Sequence, residues 1–198
     1  MVISRRAIDV ANIEGWIELK QVAGWDDSRV AYIFLYGSGA LRVPWQENDW
    51  ITNFAVCPAA GVVHLGYLVA AIRVLRDVRE DIRGCRYVNI AGHSLGGAVA
   101  EVAGVLLAAG KRGSAASPIV FIDNFGGPAP LRRGVGSVIA RGMRALGRAA
   151  WYVAGNDPVP YLMPWNRHVG HRVRLESDSR NPVHNHIHGY DACIEDYR

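Results

Sequence analysis

Apolar and polar positions along the chain alternate between short continuous runs and longer periodic ones. Arg29 to Leu35 (with Val30, Ala31, Tyr32, Ile33 and Phe34) and Pro118 to Asp123 (with Ile119, Val120, Phe121 and Ile122) are short, β-branched and aromatic. Such runs predict buried strands, as do Cys85–Ala91, Ala149–Ala154 and His171–Leu175. From Val63 to Ile82 the apolar residues Leu65, Leu68, Ile72, Leu75 and Ile82 are separated by Arg73, Arg76, Asp77, Glu80 and Asp81, the pattern of an amphipathic helix. Ala98 to Ala109 is Ala/Leu/Val-rich and free of proline, as a buried helix should be. Residues 7–23 read as a helix ending near Gly24, and a last helix is expected from about Ile187 to Tyr197. Residues 39–60, with Pro44, Trp45, Trp50 and Pro58, have no clear period and read as a long irregular loop. Strands separated by helices imply an α/β three-layer sandwich, a mostly parallel sheet with helices on both faces. No repeat, low-complexity segment or linker interrupts the chain, so residues 1–198 are expected to form one domain.

Where the strand at Cys85–Ala91 meets the apolar helix, the chain reads Gly92-His93-Ser94-Leu95-Gly96. A serine on so sharp a strand-to-helix turn is strained, with its hydroxyl pushed outward. Glycines two residues to either side are required because a β-carbon there would strike the neighbouring chain. Leu95 then offers a backbone N–H from the first helical turn, where donors lack intrahelical partners and the dipole favours an anion. The pattern is a nucleophile beside half of an oxyanion hole.

Composition narrows the possibilities. A chain of 198 residues, half of them hydrophobic, is long enough for one substantial core. No apolar run approaches the ~20 residues of a membrane span, so no transmembrane segment is expected. Arg5 and Arg6 are not followed by an apolar stretch, so no secretory signal is read and a cytoplasmic location is expected over a secreted one. Cys57, Cys85 and Cys193 are odd in number and widely spaced, which fits neither a disulfide framework nor a thiolate metal site. All but Lys20 and Lys111 of the 22 cations are arginine, giving a net charge of +4. Arg132, Arg133, Arg141, Arg144 and Arg148 cluster on an expected helix, read as a solvated face ahead of a lipid or nucleic-acid surface.

The chain resembles the class 3 (fungal-type) lipases of the α/β-hydrolase fold over residues from about 29 to 195. The matching pieces are Gly37-Ser38, Asp49-Trp50-Ile51-Thr52-Asn53, Val63-His64-Leu65-Gly66-Tyr67, Gly92 to Gly97, Phe125-Gly126-Gly127-Pro128, Asn156-Asp157-Pro158-Val159-Pro160 and His168-Val169-Gly170. Many members have an arginine before the Gly-Ser of the oxyanion loop; Tyr36 stands there in this chain. The resemblance implies a lipase or esterase working through an acyl-enzyme, with Ser94 as nucleophile and the N–H groups of Leu95 and Ser38, with the Ser38 hydroxyl, holding the oxyanion. It places residues 39–50 at the position of a lid and His168 in a structural element. It implies no metal or organic cofactor and a small-molecule or lipid ester as substrate. A transient contact with a lipid interface is expected, and no nucleic acid.

The acid of a triad should follow a later strand. Asp157 does, just past Ala149–Ala154, and Pro158 forces it into an extended conformation at the turn. Asp123 also ends a strand and is the alternative. The order Ser…Asp…His is the one α/β-hydrolases use, so the base lies further on. His168 and His171 adjoin a strand; His184, His186 and His188 lie ahead of the last helix. In the family the catalytic histidine precedes that helix by little and a tyrosine by a few residues. Asn185-His186, with Asn185 as helix cap and Tyr190 following, fits best. His64 and His93 read as structural. Two rivals remain: a metal-dependent hydrolase using His184, His186 and His188 on one face of an extended strand, and a silent binding module on a hydrolase fold.

Overall fold

The computed structural model describes residues 1–10, 13–22, 28–37, 63, 65–110, 118–132 and 136–195. Three strands come first: β1 (Val2–Val10), β2 (Ile13–Gln21) and β3 (Arg29–Gly37). Helix α1 (Leu65–Asp77) leads to β4 (Tyr87–His93), α2 (Leu95–Ala109) and β5 (Ile119–Phe125). After β6 (Leu131–Arg132), α3 (Ser137–Ala145) and β7 (Arg148–Ala154) comes a 3-10 turn, Val159–Tyr161. The last elements are β8 (Asn166–Arg167), β9 (His171–Leu175), α4 (Pro182–His188) and α5 (Asp191–Glu195). Seven strands form one sheet in the order β1-β2-β3-β4-β5-β7-β9. The pairs β1/β2 and β2/β3 are antiparallel and the rest parallel; β6 and β8 form a separate antiparallel pair.

Where a helix over residues 7–23 is expected, the described residues are strand: Ala7–Val10 ends β1 and Ile13–Gln21 is β2. Ile13, Ile17 and Leu19 face the core, while Trp16, Glu18 and Lys20 lie on the opposite face. Apolar residues four apart share one face of a strand as well as one of a helix, so Ile13 and Ile17 satisfy both periods. Charges resolve the ambiguity in favour of the sheet. Glu18 is bracketed by Lys20 (2.7 Å) and by Arg5 of β1 (3.8 Å). Arg6 of β1 bonds the Asp77 carboxylate (2.8 Å) and the Asp77 carbonyl (2.8 Å), and also reaches Asp81, tying the outer strand to the end of α1.

Helix α2 is apolar on almost every side because it is enclosed: it packs on β3, β4 and β5 and against both α1 and α3. Burial of its Val99, Val102 and Val105 with Ile33, Ile90, Val120 and Ile122 of the sheet forms the main core, at about 1.5–3 kcal/mol per large side chain. The second face of the sheet carries a smaller cluster. Phe34, Ala91, Phe125 and Ala154 pack there against Tyr190 and Ile194 from the C-terminal segment.

The last helix is two short ones. Pro182 starts α4 earlier than expected, and Asn181 caps it by accepting from the N–H groups of Val183 (2.9 Å) and His184 (3.3 Å). The helices break at Gly189-Tyr190, where Tyr190 turns inward and is fully buried. The arginine cluster is likewise divided. Arg141 and Arg144 are on α3, Arg132 ends β6 and Arg148 begins β7; Arg133 lies outside the described residues.

Candidate active site

The turn from β4 to α2 is built around Ser94, whose φ of 55° and ψ of −126° are unique among the described non-glycine residues in having positive φ. Such backbone costs about 1–3 kcal/mol and persists only where its surroundings enforce it. The enforcement is visible. Ser94 N–H donates to the Phe125 carbonyl (3.0 Å), and its own carbonyl accepts from Gly97 N–H (3.0 Å). A β-carbon on Gly92 would strike the Gly96 carbonyl, and one on Gly96 the Leu35 carbonyl, so both flanking glycines are required by backbone contact.

Three elements converge on the serine. Asp157 follows β7, one residue before Pro158, and is 1 % exposed. Its Oδ1 accepts from Val159 N–H (2.9 Å) and its Oδ2 from the Tyr190 hydroxyl (2.6 Å). His186, on α4, is buried, with Nδ1 3.0 Å from Asp157 Oδ2 and Nε2 3.0 Å from Ser94 Oγ. A carboxylate only accepts, so Nδ1 carries the proton; Nε2 is then free to accept from the serine hydroxyl. Leu95 N–H opens α2 beside it, and the end of β3 abuts the same spot: a β-carbon on Gly37 would lie 2.8 Å from Leu95 Cβ.

Asn185 is not the cap of this helix but a clamp within it. Fully buried, it accepts from Ser177 Oγ (2.6 Å) and donates to Asn156 and to the Ser179 carbonyl (3.0 Å), joining α4 to the turn that carries Asp157. His93 holds the helix from the other side, donating from Nε2 to the His186 carbonyl (2.8 Å). Burial, with the His186 charge second, pushes the His93 pKa down to about 4, so it is a neutral donor. Burial, with the Asp157 charge second, pushes the Tyr190 hydroxyl well above its ordinary range and keeps it protonated as a donor. The roles of Asn185 and Tyr190 are absent from the sequence reading. The tyrosine serves there only as a spacing mark, although its position two residues past His188 was legible.

A second buried network supports the back of the elbow. Glu101, on α2, accepts from Asn124 Nδ2 (2.6 Å), His168 Nδ1 (2.7 Å) and Val169 N–H (2.8 Å). His168 also donates from Nε2 to the Pro160 carbonyl (3.0 Å) and stacks on Trp151 (4.1 Å). Burial alone would lower its pKa; the charge and hydrogen bond of Glu101 outweigh that and raise it. His168 is thus structural, as its sequence element implies, and it braces the turn after Asp157 against α2.

The other candidates are elsewhere. Asp123 is buried on the second face of the sheet, bound by Arg148 (2.8 Å) and the Tyr152 hydroxyl (3.0 Å). His184 and His188 are exposed on α4, and His171 on β9. Because 184, 186 and 188 are helical, His186 diverges from its two neighbours and the one-face arrangement of the metal reading does not form. Among the described residues no group of three His, Cys, Asp or Glu could hold a metal ion. Ser38, His64 and residues 39–50 lie outside the described residues.

The model of the family Lipase (class 3) matches residues 43–167. The chain belongs to the class 3 lipases. No curated protein matches it in sequence. Solved structures show the same fold at low identity. A lipase from Rhizopus microsporus var. chinensis is 18% identical with a TM-score of 0.61, over 90% of this chain and 62% of that one. A triacylglycerol lipase described as having a serine protease triad as its catalytic centre is 20% identical with a TM-score of 0.58, over 88% and 66%. The Lip2 lipase of Yarrowia lipolytica is 14% identical with a TM-score of 0.55, over 88% and 65%. This class 3 lipase therefore spans under two thirds of the length of the Rhizopus enzyme. Among its described residues no helix is long and apolar enough to cross a membrane.

Proposed function

We propose that this class 3 lipase hydrolyses carboxylic esters of small molecules or lipids through an acyl-enzyme on Ser94. The observation that carries the reading is the unbroken line from Asp157 Oδ2 to His186 Nδ1 and from His186 Nε2 to Ser94 Oγ, each step 3.0 Å. His186 Nε2 takes the hydroxyl proton as Oγ attacks the ester carbonyl, and Asp157 stabilises the imidazolium that results. The same proton then passes to the leaving alkoxide, and water repeats the sequence to release the acid. The oxyanion is held by Leu95 N–H at the start of α2 and by the N–H and hydroxyl of Ser38. The approach of Gly37, at the end of β3, to Leu95 supports this pairing. One such donor is worth about 3–4 kcal/mol in the transition state.

A fluorophosphonate probe should label the protein once, on Ser94, and Ser94→Ala should abolish both labelling and hydrolysis of a short-chain ester. His186→Ala should lower turnover by several orders of magnitude, while His184→Ala and His188→Ala leave it near the wild-type rate. Labelling that survives Ser94→Ala would end the proposal. Loss of activity on chelation, restored by zinc, would instead favour a metal enzyme.

A further inference from the structure

Helix α4 carries three histidines that do not share one face. His186 turns inward to Asp157 and Ser94, while His184 and His188, four apart, project together from the exposed side. Their ring centres are 5.0 Å apart with planes at 47°, so the two rings meet without stacking. The His184 ring has no hydrogen-bond partner among the described residues. The His188 ring has one, between Nδ1 and Asp191 Oδ2 (3.2 Å). A carboxylate only accepts, so Nδ1 carries the proton and Nε2 keeps its lone pair for another group.

Two imidazoles one helical turn apart are a ligand pair that helices offer to zinc, and imidazole suits copper and nickel equally. The ring separation tests the fit. An ion about 2.0–2.1 Å from each ring nitrogen lies about 3.2 Å from each ring centre, and ligand angles of about 90–110° then put the centres about 4.5–5.2 Å apart. The observed 5.0 Å falls inside that range. Asp191 supplies the outer carboxylate that fixes the tautomer and orientation of a ligating ring. Magnesium and calcium take oxygen ligands and find none paired here.

We infer that His184 and His188 form a two-histidine site for one divalent transition-metal ion, copper(II), nickel(II) or zinc(II), with water completing the coordination. At about 100° per residue the midpoint of this pair lies about 180° around the helix from His186. The ion therefore sits on the far side of α4 from Ser94 and takes no part in the attack on an ester. Its effect is on the helix. Seven residues make a marginal helix by themselves, and an ion bridging positions 184 and 188 closes its last turn before Gly189. The spacing exists only when α4 is folded, so the ion stabilises the native state. This is a proposal about binding and holds independently of hydrolysis at Ser94.

The test uses the untagged full chain carrying Ser94→Ala, so that a failure of the hydrolase reading stays separate. Isothermal titration with copper(II), nickel(II) and zinc(II) should each give one saturable site, copper binding tightest, and magnesium(II) should give none. Electron paramagnetic resonance of the one-to-one copper complex should show two equatorial nitrogen ligands. Nickel at about 100 times its Kd should raise the thermal unfolding midpoint. His184→Ala and His188→Ala should each lose both the saturable site and the nickel shift, with circular dichroism unchanged in the absence of metal. No saturable binding to any of the three ions would overturn the inference. So would binding that survives either alanine substitution, which would place the ion at another donor such as His171 or the N-terminal amine. Magnesium binding as tight as copper would also overturn it, by marking a charge effect in place of imidazole ligation.

Discussion

Tyr190→Phe isolates one hydrogen bond to the acid of the site. The ring is retained, so its packing near Phe125 and His93 survives, with centroids 6.4 Å and 5.6 Å away. What is lost is the hydroxyl, which donates to Asp157 Oδ2 at 2.6 Å and accepts from Ala154 N–H at 3.1 Å. A bond to a charged acceptor contributes about 1.5–3 kcal/mol, and a buried N–H left without a partner costs about 1–3 kcal/mol. The variant should therefore be less stable by about 3 kcal/mol. Catalysis should suffer less. Asp157 keeps the Val159 N–H and the His186 Nδ1–H as donors, so the carboxylate loses orientation but not charge. A roughly tenfold fall in kcat, about 1.4 kcal/mol, with KM unchanged is expected. Urea unfolding and initial rates on a short-chain ester measure the two effects. A wild-type kcat would show that the hydroxyl does not orient Asp157, and unchanged stability would show that the bond contributes nothing in solution.

His93, with its pKa pushed down from 6.5 to about 4 by burial, binds its proton more readily unfolded than folded. The stability it contributes is complete above pH 6.5 and is lost as pH falls toward 4, by about 3 kcal/mol. His93→Gln should flatten that acid loss in urea unfolding; an unchanged pH profile would refute the assignment. His168 has the opposite sign: its pKa is raised by Glu101 against the effect of burial, so its contribution is full below 6.5 and fades as pH rises through the raised value. Glu101→Gln should remove this alkaline loss, and a wild-type profile would show the pair to be uncharged. Gly96→Ala should destabilise by about 2–3 kcal/mol because its β-carbon meets the Leu35 carbonyl; an unchanged melting temperature would mean that the elbow can open.

The parallel half of the sheet and the sharp strand-to-helix turn at Ser94 were legible because their signals are local. Val88 and Ile90, and Val120 and Ile122, are buried within short β-branched and aromatic runs, and the strain at Ser94 is announced by Gly92 and Gly96. Asp157 was legible for the same reason, since Pro158 fixes its backbone. The N-terminal hairpin was not, because Ile13 and Ile17 satisfy strand and helix equally and only pairing with β1 and β3 decides. His186 was reached by its place ahead of Tyr190, but through the wrong cap. Asn181 and Pro182 start the helix, and Asn185 bonds across to Asn156, Ser177 and Ser179, contacts that no local pattern encodes.

Both outermost strands of the large sheet carry arginine: Arg5 and Arg6 on β1, Arg172 and Arg174 on β9. An open sheet edge is a row of unpaired N–H and C=O groups that invites a strand from another molecule. On β1 the guanidinium of Arg6 is held by Asp77 and Asp81 against the side of the sheet. A second chain pairing there would have to strip water from that ion cluster or push it aside. On β9 an incoming strand would bring its own copies of Arg172 and Arg174 against these two, charge against like charge. The sheet is thereby capped at both ends by electrostatics where other folds use a covering helix. The consequence concerns crowding and refolding: neutralising these four positions should show itself first as strand-to-strand aggregation at high protein concentration, while the isolated molecule keeps its fold.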